Sequence, residues 1–420
     1  MQGEIITGLD VGSTAIRIVV GHKPSSIGET EEKIRIIGVA EAPSQGLSKG
    51  VVTSIEDATS SISHCLEKAE RITGVPIERV WVGISGAHII SQESKGVIAV
   101  SRASGEIKED DVERAIEAAR TVVTPPNYKI LHVIPRGFTV DEQGGIKDPV
   151  GMTGVRLEVD AQIIQGLSSQ IKNLTKCVYR TGLEIEDLVL SILATSEAIL
   201  TPRQKELGVA LANIGGAITN LIVFEEGDIL QSAVLPIGSE HITSDIAIGL
   251  RVSIDLAEKI KLEYGSAISK DIGKKDEIDL KELGNNSEEG TVSRKYVAEI
   301  IEARVEEIFE KIDSELKKIN RSGLLPAGMV LTGGGANLPG IIDIAKKKLR
   351  LPSCLGCPVE IIKAIDKIND PAFSTALGLV IWGGQSQLQK KGRFEKVFSH
   401  LKGFDKASGR IKKWFKSLIP

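Results

Sequence analysis

One bend occurs twice in this chain, and it constrains the fold more than any other feature. Gly8-Leu9-Asp10-Val11-Gly12-Ser13-Thr14 is followed by the mostly apolar run Ala15 to Val20. Ile5, Ile6 and Leu9 lead in; Ile16, Ile18, Val19 and Val20 lead out. β-Branched arms around a small-residue turn predict strand, tight turn, strand. Leu211-Ala212-Asn213-Ile214-Gly215-Gly216-Ala217, then Leu221-Ile222-Val223-Phe224, repeats the pattern at a constant offset without a gap. Asp10 falls on Asn213, Gly12 on Gly215 and Ser13 on Gly216. One such bend fits any buried hairpin. Two, far apart, predict a duplicated fold whose halves face one ligand across a cleft. Backbone N–H groups and the Ser13 and Thr14 hydroxyls in such a bend can approach a phosphate. Asp10, ending the incoming strand, is placed to hold a metal-bound water.

A length of 420 residues predicts two or three domains, and 41% hydrophobic content supports sizeable cores. No apolar run approaches ~20 residues, so no transmembrane helix is expected. Met1-Gln2-Gly3-Glu4 lacks the basic and apolar regions of a signal peptide. Four cysteines are too few for a disulfide scaffold, and a reducing cytoplasm is the expected compartment. The net charge of −4 is uneven: Lys390 to Pro420 holds ten Lys/Arg and two acidic residues, leaving −12 for the body. A basic tail on an acidic body predicts that the tail alone meets an anionic surface. With 4% aromatics and terminal basic charge, nucleic-acid binding is not expected.

Along the chain, Ile34 to Ala40 reads as a third strand, Gly46 to Val52 as a loop, Ile55 to Ile72 as an amphipathic helix and Val80 to Ile84 as a strand. Residues 85–165 read as an inserted α+β unit. It has strands at Gly96 to Val100, Lys129 to Ile134, Gly137 to Val140 and Leu157 to Ile164, and a helix from Glu109 to Ala119. A helix to Thr181, a strand at Asp187 to Leu190 and a helix from Ala194 to Leu200 precede the second bend. Gly238 to Tyr264 reads as one helical stretch, Asp271 to Gly290 as exposed loop, and Ser293 to Ile319 as a long helix. Gly328 to Thr332 is a buried-type strand ending in Gly333-Gly334-Gly335, with a helix from Pro339 to Lys348 beyond. A strand at Val359 to Ile362 and a core helix from Pro371 to Trp382 follow. The glycine triplet, between strand and helix, would let a flat ligand group approach the backbone.

These residues carry a resemblance. Gly8 to Thr14, the loop at Asn213 and Leu331 to Gly335 resemble the two phosphate motifs and the adenosine motif of the actin-like ATPase superfamily. Nearly the whole chain, including Asp245 to Arg251, Ala257 to Lys261 and the tail, is similar to the FtsA family of bacterial cell-division actins. The resemblance implies an α/β fold of two actin-like (duplicated ribonuclease H-like) lobes with an FtsA-type inserted α+β subdomain. It places the first lobe at 1–84, completed by 166–195 and 371–385, and the insertion at 85–165. The second-lobe core is 196–243 and 321–370, and a helical nucleotide and partner subdomain is 244–320. A linker at 386–406 leads to an amphipathic helix at 407–420.

The resemblance also implies ATP and Mg²⁺. Asp10 would organise Mg²⁺ through water; Gly12, Ser13, Thr14, Gly215, Gly216 and Ala217 would hold phosphate. Glu258 and Lys261, a turn apart on one helix face, would approach the ribose and base, and Gly333, Gly334 and Gly335 would flank the adenosine. From spacing alone the Glu258/Lys261 pair reads first as a solvated surface pair. The family's second loop is Asp-Ile-Gly-Gly-Gly-Thr-Thr-Asp, whereas here it is Asn213-Ile214-Gly215-Gly216-Ala217-Ile218-Thr219-Asn220. Amides cannot act as general bases and are weaker partners for Mg²⁺-bound water. Ala217 would add a Cβ against the phosphates, and Ile218 an apolar branch. The expectation is a nucleotide-binding, hydrolysis-poor protein with no residue assigned to catalysis.

The tail carries a second signal. Ile411, Trp414, Phe415, Leu418 and Ile419 form one helical stripe, with Arg410, Lys412, Lys413 and Lys416 beside or opposite it. That pattern suits an interfacial helix on anionic lipid, strengthened by avidity in a polymer. Members of the family polymerise and tether the tubulin-like FtsZ to the membrane. The expected partners are therefore a second copy of the chain, anionic lipids and the FtsZ C-terminal peptide. The expected place is the cytoplasmic face of the inner membrane at the septum. Arg304 sits on a matching motif and would pair with the acidic peptide; it could equally pair with Glu307, three residues on. Cys354 and Cys357 have zinc-knuckle spacing but lack two further ligands, so ordinary thiols are expected. A pilus-assembly actin-like adaptor and a sugar or metabolite kinase are the competing readings. The first would not need a lipid-binding tail, and the second would need a catalytic base.

Overall fold

The computed structural model describes residues 3–24, 33–100, 105–121, 124–283, 290–359 and 365–386. All but the first residue of the expected linker at 386–406, the tail helix at 407–420 with Arg410 to Ile419, and most of the Val359 to Ile362 strand lie outside the described residues.

β1 (Gly3–Val11), β2 (Ala15–Pro24) and β3 (Arg35–Pro43) form an antiparallel meander. The expected Gly46 to Val52 loop contains a two-residue ladder of β4 (Leu47–Ser48) and β5 (Val51–Val52). α1 (Ile55–Thr73) is capped by Ser54 and ended by the left-handed Gly74, and buries Ala58, Ile62, Cys65, Leu66 and Ala69. β6 (Arg79–Ile84) pairs parallel with β1.

The inserted unit is a sheet of β7 (Ile89–Ala99), β8 (Tyr128–Val140), β9 (Gln143–Ile146) and β10 (Arg156–Leu167), in the order β7-β10-β8-β9, covered by α2 (Glu109–Arg120). The two strands expected at 129–134 and 137–140 are one: β8 runs through Pro135 with a register shift opposite Asp160/Ala161. The bulge absorbs the proline, which cannot donate to the ladder.

After α3 (Ser168–Arg180), β11 (Glu184–Leu190) completes the first sheet, in the order β11-β6-β1-β2-β3. α4 (Ser191–Ile199) and α5 (Pro202–Leu207) lead to the second bend. β12 (Val209–Ile214), β13 (Thr219–Glu225) and β14 (Asp228–Leu235) repeat the antiparallel meander. α6 (Ser239–Leu250) and α7 (Ile254–Tyr264) replace the single helical stretch expected there. Arg251 takes a left-handed conformation that ends the first helix, and Ser253 caps the second.

The expected exposed loop at 271–290 is also corrected. β15 (Glu277–Asp279) pairs with β16 (Thr291–Ser293), and Ile278, Leu280 and Leu283 are buried. Their apolar side chains dock on the core of α8 (Arg294–Lys318), a long-range contact with no local period. β17 (Met329–Thr332), α9 (Ile341–Leu349) and β18 (Ser353–Leu355) finish the second sheet, in the order β14-β13-β12-β17-β18. Strand for strand it repeats the first: an antiparallel meander, then two parallel neighbours.

The register is duplicated too. Asp10 lies opposite Arg17, and Asn213 lies opposite Asn220. A final helix at 374–386 packs between the sheets, in a core shared with β1, α4 and β12. Its approach is close enough that a Cβ on Gly8 would strike the Ala376 carbonyl, and one on Gly378 the Ala194 carbonyl. This is the two-lobed actin-like architecture with an inserted unit, and it sets both bends at equivalent strand ends.

Candidate functional site

The two bends meet. A Cβ added to Gly216 would fall on the Thr14 Oγ1 and 2.7 Å from a Glu240 carboxylate oxygen. Only glycine fits there. The second bend is closed by Gly215 N–H donating to the Ile218 carbonyl at 2.9 Å. Its Gly215 and Gly216 carbonyls accept from the Ser239 and Glu240 N–H groups at 2.9 and 2.8 Å. The first N–H groups of α6 thus satisfy the bend itself. A Cβ on Gly238 would clash with those carbonyls, so helix and bend are locked together. On the first bend, Ser13 Oγ accepts from the Gly50 N–H at 3.1 Å, and Thr14 donates its hydroxyl to Glu240 at 2.9 Å.

The amides bridge the lobes. Asn213 Nδ2 donates to Thr375 Oγ1 at 2.9 Å, and that hydroxyl lies 3.0 Å from Thr195 Oγ1. Asn220 Oδ1 accepts from Ser85 Oγ at 2.5 Å. As carboxylates these two would be direct cross-strand neighbours of like charge; as amides they need no cation between them. Ala217 and Ile218 are both buried, so the Cβ and apolar branch expected against a ligand are covered by protein.

Gly333 has φ +86°, and a Cβ there would strike the Asn213 Oδ1. One on Gly335 would come 2.6 Å from Ile214 Cγ2, whereas Gly334 has nothing nearer than Ala372 at 3.9 Å. Two glycines of the triplet thus serve packing against the second bend, and Gly334 offers room. Lys261 is only 9% exposed. Its Nζ donates to Thr243 Oγ1 at 2.8 Å and to Glu258 at 2.6 Å, and Thr243 donates to Glu258 at 2.5 Å. The Lys261 end of this pair is buried while Glu258 keeps contact with solvent, and the pair fastens α7 to the helix that locks the second bend.

Asp10 is half-buried, and that burial pushes its carboxyl up to about 6, with Arg17 opposing the rise. Arg17 pairs with Glu41 at 2.8 Å and stacks over Phe373, 5.6 Å from the ring centroid. Among the described residues no three His, Cys, Asp or Glu side chains cluster as metal ligands. A lone carboxylate suits Mg²⁺, which keeps several waters and takes phosphate oxygens. Glycines and hydroxyls at the bends, open backbone at Gly334 and one carboxylate at a strand end fit a Mg²⁺-nucleotide.

Arg304 forks onto Asp245, Nε to Oδ2 at 2.5 Å and Nη2 to Oδ1 at 2.9 Å, and also pairs with Glu307. It pins α8 to α6, so an acidic peptide would have to displace partners within the chain. Cys354 and Cys357 are free and exposed. A cavity of about 680 Å³ between the inserted sheet and β14 lies away from the bends, bordered by Arg136, Phe138 and Leu230. Sequence reasoning missed Glu240, Ser85, Thr195 and Thr375. The signal for Glu240 was an acidic residue directly after Gly238-Ser239, at the start of α6.

A family profile described as "Cell division protein FtsA" matches residues 210–378, and one described as "SHS2 domain inserted in FTSA" matches 86–165. The chain is 36% identical over 386 residues to the cell division protein FtsA of Pseudomonas aeruginosa, covering 92% of this chain and 91% of that one. The Borreliella burgdorferi protein of that name is 38% identical over 416 residues, 99% of each. The Bacillus subtilis protein is 38% identical over 379 residues, 90% of this chain and 83% of that one. Among solved structures, a PilM-PilN type IV pilus biogenesis complex superposes with a TM-score of 0.65 at 18% identity, over 90% of this chain and 98% of that one. MreB5 of Spiroplasma citri bound to ADP gives 0.54 at 13% identity, over 92% and 98%. At such identities these two speak for the fold alone.

Proposed function

This chain belongs to the FtsA family of cell-division proteins, and from that premise we propose that it binds Mg²⁺-ATP between its bends, polymerises, and tethers FtsZ to the inner membrane. The observation that carries the nucleotide reading is the meeting of the bends at Gly216 and Thr14. Gly12, Ser13, Thr14, Gly215, Gly216 and the Ala217 backbone would hold phosphates, and Asp10 would orient Mg²⁺-bound water. Gly334, flanked by Gly333 and Gly335, would lie along the adenosine. Glu258 and Lys261 would act from behind α6, by holding it against the second bend. Bound Mg²⁺ neutralises phosphate charge. Turnover would be slow: Asn213 and Asn220 stand where carboxylates would serve as bases, and both are engaged across the lobes.

Residues 407–420 would lie in the interface plane on anionic lipid at the cytoplasmic face of the septum. Each basic residue there contributes about 1 kcal/mol, and filament avidity supplies the rest. The FtsZ C-terminal peptide would dock on the subdomain at 244–320, with Arg304 holding α6 and α8 in register for it. The test is electron microscopy of the full chain on anionic lipid monolayers, with and without ATP, beside a chain ending at residue 406. The expected result is ATP-dependent filaments on lipid for the full chain and none for the truncated one. Lipid-bound filaments from the truncated chain would place the anchor elsewhere.

A further inference from the structure

The one Thr14 hydroxyl proton is already given away. It goes to Glu240, an acidic side chain that the second lobe delivers to the first-lobe bend. A hydroxyl donates once. A phosphate that takes the Thr14 proton must displace a carboxylate that carries charge of its own sign. Three elements fix this point. Glu240 is held in the first turn of α6 by its own N–H donating to the Gly216 carbonyl. Gly216 lies beneath both side-chain atoms, with no room for a Cβ. Thr14 is held within its own lobe by Ser44, whose N–H donates to the Thr14 carbonyl at 3.0 Å. The glycine triplet follows β17, beside β12, and contacts the second bend at Asn213 and Ile214, while Glu240 follows β14, beside β13, on the other side of the β12–β13 bend. A nucleotide with its adenosine at the triplet would therefore present the end of its phosphate chain to Glu240.

We infer that Glu240 is a specificity-determining residue of the nucleotide site: its carboxylate competes with the terminal phosphate for Thr14 and narrows the preference for triphosphate over diphosphate. The inference rests on the nucleotide reading above. Two like charges about 4 Å apart repel more strongly in a cleft less polar than water, and about tenfold in affinity corresponds to about 1.4 kcal/mol of that repulsion. The diphosphate ends before that point and avoids most of the repulsion.

Equilibrium titration of the full chain with fluorescent ATP and ADP analogues in excess Mg²⁺ tests this, comparing wild type with Glu240→Gln. Gln keeps the length and an acceptor oxygen but removes the charge. ATP affinity is expected to rise about tenfold and ADP affinity less than threefold, with Glu240→Ala giving the same order. An unchanged ATP-to-ADP ratio, or weaker ATP binding in both variants, overturns the role of Glu240 while leaving the nucleotide site intact. If neither wild type nor variants bind either analogue while their thermal melts match, the nucleotide reading fails and the inference falls with it.

Discussion

Replacing Asp10 with asparagine should make the ligand-free protein more stable. Asp10 lies half-buried at the end of β1 opposite Arg17, and the net effect of its surroundings lifts its carboxyl from 3.8 to about 6. About two pKa units correspond to ~3 kcal/mol against the ionised form. The sign follows from proton counting. With a raised native pKa, the folded state holds more protons than the unfolded chain between about pH 4 and 6. Above pH 6 the fold carries the full cost of the buried charge; as pH falls through 6 toward 4 the cost disappears. Asp10→Asn removes it at every pH, and Arg17 retains Glu41 at 2.8 Å. For 420 residues, at roughly 2.1 cal/mol/K each, the unfolding entropy is about 0.9 kcal/mol/K, so ~3 kcal/mol becomes ~3 °C. Thermal melts in chelator without nucleotide should put the variant about 3 °C above wild type at pH 7.5 and level with it near pH 4. A variant that melts lower at pH 7.5, or a gap that persists on acidification, would refute the reasoning. Saturating Mg²⁺-ATP should stabilise wild type more than the variant, because the variant lacks the carboxylate proposed to orient Mg²⁺-bound water.

His132 on β8 should produce the opposite pH trend. Its Nε2 accepts the Leu190 N–H at 3.0 Å, it lies edge-on to Trp382, and burial pushes it down to about 4. The unfolded chain then binds more protons between pH 6.5 and 4, so wild type should lose up to ~3 kcal/mol across that window. His132→Gln should flatten the loss, and unfolding midpoints at pH 7.5 and 5 decide it; parallel losses in both proteins count against the assignment. For Arg304, a double-mutant cycle of Arg304→Ala and Asp245→Ala should give a coupling of about 1 to 2 kcal/mol in urea unfolding, since a forked pair at half-buried positions is broken. Additive effects would mean that the fork does not hold α6 to α8. FtsZ-peptide affinity should fall with Asp245→Ala as well as with Arg304→Ala if Arg304 positions the helices, and with Arg304→Ala alone if it grips the peptide.

The chain alone determined its duplicated hairpins. Alternating β-branched residues around glycine bends are local and period-two, and a constant offset between copies forces the same register on both sheets. The cap at Ser293 was equally legible, because it acts within three residues, whereas the break before Ser253 was not. What the chain could not reveal was which side chain answers which across long separations. Thr14 is 226 positions from Glu240, Asn220 is 135 from Ser85 and Asn213 is 162 from Thr375. Ile278, Leu280 and Leu283 sit in a polar run and are buried only because the α8 core is there to receive them. Short-range periodicity records backbone geometry. The partners of hydroxyls, amides and charges depend on how two separately formed sheets are brought together, and only the packed lobes decide that.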